Sequence, residues 1–131
     1  MAAADTFTSH LQTTSFTKPH ETREFPKGKV DLVTVNGVTF GRVVFQPGWR
    51  WSEHVKPIAG TNSCQAAHLG VQLSGRMHIV MDDGTEMDLE SGQVVSIPPG
   101  HDGWVVGNEP VLFIDITGME NYAKRGSVKA A

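Results

Sequence analysis

Three histidines of this chain stand where they could share one metal ion: His54 within RWSEHVKPIAG (residues 50–60), His68 at the head of HLGVQL, and His101 directly after Pro98-Pro99-Gly100. One imidazole settles nothing, because a metal site needs three or four donors converging from separate parts of the chain. Three neutral imidazoles would leave positions open on a divalent cation, which suits a Lewis-acid role or the activation of bound water or dioxygen. Imidazole nitrogen serves zinc, iron, copper and nickel, whereas magnesium and calcium want carboxylate oxygens that this set lacks. Zinc and iron rank first, with nickel, copper and manganese behind.

Other residues could complete a pocket for a small-molecule ligand. Gln72 shares the strand parity of His68 and is expected to point inward, where it could orient a water or substrate. His78, in the middle of RMHIVM, is either a base near the site or an ordinary sheet histidine. Trp51 and Trp104 could stack on a ligand or simply pack at the core and rim. Cys64 also has the parity of His68; a soft thiolate donor is one reading, and a small buried hydrophobe is the favoured one.

Strands must position these groups. From residue 30 the chain reads as short β-rich runs broken by turns: VDLVTV, then Asn36-Gly37, then VTFGRVVF, then Pro47-Gly48. Asn-Gly between two such runs signals a hairpin, since both central residues of a type I′ turn need positive φ. HLGVQL, RMHIVM, TEMDL, QVVSI, HDGWVVG and VLFIDIT follow, divided by Asp82-Asp83-Gly84, Ser91-Gly92, Pro98-Pro99-Gly100 and Asn108-Glu109-Pro110. Eight or nine strands with no useful amphipathic helix predict an all-β sandwich or barrel over residues 28–118. Each of the three histidines falls at a predicted strand end, so all can meet in a barrel mouth with no local motif linking them. GTNSCQAA reads as a longer connection between two halves of that barrel. Residues 1–27 read as an arm, partly ordered or docked on a partner subunit through Phe7, Leu11, Phe16 and Phe25. Residues 119–131 read as a polar tail with Tyr122 its one anchor.

The bulk properties narrow the class. A chain of 131 residues suits one domain with its own core. A net charge of -3 gives no basic field for a phosphate backbone, so no nucleic-acid partner is expected. One cysteine allows no internal disulfide. No signal-like segment or membrane-length apolar run is visible, so the expectation is a cytoplasmic protein with no membrane contact.

The segment from Gly41 to His101 resembles the cupin family. Two landmarks carry the likeness: Pro47-Gly48 followed by His54 and closed by LSGR (Leu73 to Arg76), and SGQVVSIPPG at residues 91–100, similar to the family's G-x5-P-x-G element. The resemblance implies a cupin-type jelly-roll barrel of two antiparallel sheets, a divalent metal and a homodimer. In the family pattern the first motif reads H-x-H with a glutamate seven residues before its closing glycine, and the second places a histidine three residues after its glycine. Here Lys56 stands at the second histidine, and an ammonium has no lone pair to offer. His68 stands at the glutamate, and Gly103 at the last histidine, with His101 two residues earlier on the same strand face. The resemblance thus implies His54, His68 and His101 as the ligands. Similar barrels act as dioxygenases, isomerases or hydrolytic enzymes on small molecules. The alternative is a non-catalytic small-molecule binding or sensor barrel, since the ligand set departs from the pattern.

Overall fold

The computed structural model describes residues 10–117 together with Met119, Tyr122 and Ala123. Among these, nine strands form: β1 (Glu21–Phe25), β2 (Gly28–Val35), β3 (Val38–Phe45), β4 (His68–Ser74), β5 (Arg76–Met81), β6 (Glu86–Glu90), β7 (Val94–Ile97), β8 (His101–Val106) and β9 (Val111–Asp115). Two short helices, α1 (Trp51–His54) and α2 (Lys56–Ala59), lie between β3 and β4. The strands make a six-stranded sheet, β1-β2-β3-β9-β4-β7, and a three-stranded sheet, β6-β5-β8. All pairings are antiparallel. No helix among the described residues is long and apolar enough to cross a membrane.

Local chemistry explains the frame. Asn36 and Gly37 take φ of 51° and 75°, as the Asn-Gly signal requires, and set Val35 opposite Val38. Gly75 alone separates β4, in the large sheet, from β5, in the small one. Its φ is +76°, and a Cβ there would sit 2.6 Å from the Pro110 carbonyl oxygen, so glycine is required at this crossing. Period-2 alternation then fills the space between the sheets: Val30, Leu32, Val43, Phe45 and Phe113 from one layer meet Met77, Ile79, Leu89 and Val105 from the other.

The packed unit extends beyond residues 28–118. Within the expected arm, residues 21–25 form β1 and pair with β2, because Phe25 has a place in the core. Its ring packs edge-on against Phe45, Trp49 and Tyr122, with centroids 6.0, 6.5 and 6.0 Å away. Phe16 lies with the Arg42 guanidinium 5.0 Å from its ring centroid, covering part of the large sheet's outer face. At the other end Met119 and Tyr122 are buried rather than loose. Arg23 fixes them by donating to the carbonyls of Met119 at 3.1 Å and Tyr122 at 2.7 Å. Phe7 lies outside the described residues.

Where the sequence reading placed a strand ending at His54, the structure has α1 and α2. Pro57 sits in the first turn of α2, where its missing N–H costs nothing, and Gly60 closes it at φ 81° with its N–H on the Lys56 carbonyl. The edge of β8 therefore meets no full strand on this side. Two isolated bridges take its place, Arg50 to Trp104 and Cys64 to His101.

Candidate metal centre

His68 is the first residue of β4 and His101 the first of β8, both pointing between the sheets as their parity predicts. Cys64 joins them by backbone pairing: its N–H donates to the His101 carbonyl, and its own carbonyl accepts from Gly100 and His101. The three side chains are 3–6 % exposed. Their donor atoms all lie within 4.8 Å of one another, with Cys64 Sγ 3.8 Å from His68 Nε2 and the imidazole centroids 5.4 Å apart.

Both imidazoles are set for ligation by their far nitrogens. His68 Nδ1 donates to Asp115 Oδ2 at 2.6 Å, and His101 Nδ1 donates to the Pro98 carbonyl at 2.8 Å. Each bond commits the proton to Nδ1 and turns Nε2 toward the centre, as in histidines that hold metals. Asp115 is itself fixed, accepting from the Thr117 N–H at 2.7 Å.

The electrostatics favour a thiolate. Burial pushes the Cys64 thiol up, but hydrogen bonds from His101 and His68 outweigh it and bring it to about 6. Burial pulls His68 down, but hydrogen bonds with Asp115 and Cys64 raise it to about 9. The pair is thus a thiolate beside an imidazolium: the thiolate is the form that binds metals, and a cation held there would take the place of the second His68 proton. Donors at tetrahedral zinc-type distances of about 2.0–2.3 Å from a shared ion lie roughly 3.3–3.8 Å from one another. The 3.8 Å between Sγ and Nε2 lies at the upper end of that range and no donor pair is more than 4.8 Å apart, so Cys64, His68 and His101 could hold a divalent cation once drawn slightly together.

Beside the centre is a cavity of about 40 Å³, walled by the two histidines and by Trp49, Trp51, Phe113 and Tyr122 among others. This is room for one or two waters. The buried indole Nε1 atoms of Trp49 and Trp51 have no hydrogen-bond partner among the described residues. None of the cavity's lining residues carries a carboxylate.

The expected residues are only partly brought together. His54 is not beside His68 and His101. As the last residue of α1 it takes the Arg50 N–H on its Nδ1 at 3.0 Å, capping the helix that the Pro57 and Gly60 signals create. Lys56 starts α2. Gly103 lines the cavity, and a Cβ there would meet Ile79 Cδ1 at 2.7 Å, so the place expected for a further histidine is filled by isoleucine.

Trp51 does line the cavity. Gln72 points inward and is fully buried, but it is spent on structure, donating from Nε2 to the carbonyls of Gly75 and Leu89. His78 and Trp104 face outward from the small sheet, because their neighbours Met77, Ile79, Gly103 and Val105 take the inner parity. There their rings pack 4.9 Å apart, His78 bonds Asp88 and Glu86, and Arg50 lies 4.0 Å from the Trp104 ring centroid.

Two residues of the candidate site carry weaker signals in the sequence. Cys64 has the parity of His68 and admits a thiolate-donor reading, but a small buried hydrophobe is the favoured one there; the structure places it in the cluster. Asp115 closes the inward series Val111, Phe113, Asp115, where an acid has no reason to be unless something inside receives it.

No protein-family model matches the chain, and no curated protein matches it. Solved structures do share its architecture. The oxalate decarboxylase of Lactobacillus farciminis, in a formate complex, matches with a TM-score of 0.54 and 19 % identity, covering 78 % of this chain and 32 % of that one. A Rhizobium leguminosarum bv. viciae protein of unknown function matches at 0.53 and 19 %, covering 70 % of this chain and 80 % of that one. The Clostridium difficile EutQ protein matches at 0.52 and 14 %, covering 77 % and 69 %.

Proposed function

From the cupin-type fold that this chain shares with those structures, and from the buried thiol and imidazoles inside it, we propose a small metal-dependent enzyme acting on a small organic molecule. The observation that carries the reading is the Cys64, His68 and His101 cluster, with each histidine's Nδ1 already committed to an oxygen. A divalent cation held there would supply Lewis-acid polarisation of a bound oxygen or activation of water or dioxygen. A thiolate with two imidazoles suits zinc or iron first, then copper or nickel, and serves manganese less well.

The chain's own groups do the rest. Asp115 and the Pro98 carbonyl orient the imidazoles. The indoles of Trp49 and Trp51 wall the cavity beside the imidazoles. Phe113, Met77 and Phe45 exclude bulk water, which strengthens each electrostatic contact. The test is metal content by mass spectrometry on protein purified without a histidine tag, for wild type, His68→Ala and Cys64→Ser. One equivalent in the wild type, lost in the variants, is expected. A wild type that takes up neither zinc nor ferrous iron overturns the reading.

The second reading is a barrel that binds a small molecule without turning it over. The absence of a carboxylate from the cavity's lining favours it, since no free general base is then at hand. Stoichiometric ligand binding to metal-loaded protein without turnover would select it.

We also propose a two-fold homodimer. Val94, Val71 and Ile114 align across β7, β4 and β9 on the outer face of the large sheet, with Leu69 and Leu73 exposed beside them. Such a patch needs a cover, and a second copy provides one. Light scattering should give twice the 14.2 kDa of the chain, and a mass of one chain would sink the dimer.

A further inference from the structure

The cavity at the metal centre cannot contain a substrate of ordinary size. Its volume of about 40 Å³ accommodates a head group, whereas small-molecule sites run to about 300–1,000 Å³. A second hollow lies alongside. It is a groove of about 560 Å³ between β6 and β7, which are the unpaired edges of the small and large sheets.

Three side chains, Ile79, Leu89 and Ile97, wall both spaces. The groove is thus separated from the metal centre by the thickness of aliphatic side chains, with no backbone hydrogen-bond ladder between β6 and β7 to open. At one end Gln72 fastens the sheets through the Leu89 carbonyl. Toward the other lie Thr85 and Pro98, and the Pro98 carbonyl is the one that holds His101. The groove is lined mainly by apolar groups, with Met87 61 % exposed at its margin.

We propose, resting on the metal-site reading above, that this groove holds the apolar body of the substrate and is its way in. Leu89 and its aliphatic neighbours yield to admit the head. The head carries an oxygen that a cation held by Cys64, His68 and His101 would take, since both histidines wall the cavity. The substrate class is therefore an amphipathic carboxylate or carbonyl compound with a hydrocarbon chain or ring of several carbons. This specifies an elongated ligand lying across the sheet edges, rather than a compact polar one held wholly inside the barrel.

The test uses metal-loaded protein and straight-chain carboxylates from acetate to decanoate, titrated by calorimetry. Each methylene buried in the groove should tighten binding about threefold to fourfold until the groove is full. Met87→Asp places a charge at an exposed position of the groove, outside the metal centre. It should leave metal content and acetate binding unchanged and abolish the gain with chain length, while Met87→Leu preserves it. Metal bound normally with affinity independent of chain length, or chain-length dependence intact in Met87→Asp, overturns the groove and leaves the metal centre standing. Failure to bind metal overturns the centre first and the groove with it.

Discussion

Asp115 Oδ2 lies 2.6 Å from His68 Nδ1, and neither side chain is more than 6 % exposed. The carboxylate does not reach the cluster of donors; it fixes the tautomer and orientation of the imidazole that does. Asp115→Asn keeps the size and the hydrogen bonding to the turn but removes the charge behind His68. Metal affinity should fall about 10–100-fold, the usual cost of losing such a partner. Chelator competition reads it, and unchanged affinity in a folded variant would remove Asp115 from the site.

His54→Ala separates the helix-capping role from ligation. The Arg50 N–H loses its acceptor, which should cost about 1 kcal/mol in urea denaturation. Metal stoichiometry should stay at the wild-type value. Loss of the metal would return His54 to the ligand set.

The contrast between His54 and His68 shows what a sequence can carry. His68 and His101 follow from strand parity, a period of two that turns and alternation fix in advance. The eight runs from VDLVTV to VLFIDIT all became strands for the same reason. His54 fell to a local contest in which Pro57 and Gly60 outweighed the expected extension, and both signals were visible. Strand β1 was not legible, because GluThrArgGluPhe has one core residue, and its place depends on aromatic partners as distant as Tyr122. Cys64 needed knowledge of pairing across the barrel, which spacing does not contain.

Gln72 joins the sheets beside the groove, donating at 2.8 Å to the Gly75 carbonyl and at 3.0 Å to the Leu89 carbonyl. Gln72→Leu would leave both carbonyls without this donor. A loss of about 2 kcal/mol is expected, less than two full penalties because the unpartnered Oε1 disappears as well. Metal content should not change. A variant as stable as wild type would show that the staple contributes nothing.

Asp31 sets an acid limit on the large sheet. Burial pushes its carboxyl up, but the Thr22 hydroxyl, Arg42 and Lys29 outweigh burial and hold it below its ordinary 3.8. A carboxyl whose folded value is depressed binds fewer protons in the folded state than in the unfolded one. Its contribution is therefore fully present above about pH 4 and is lost as pH falls through the folded value. Thr22 Oγ1 donates at 2.6 Å and Arg42 pairs at 3.2 Å, so the contribution is local to β1, β2 and β3. Urea denaturation of wild type and Asp31→Asn should show the variant weaker at pH 6, with the gap closing below pH 3. A gap of constant size across that range would mean that packing or hydrogen bonding, and not the charge, is what Asp31 contributes.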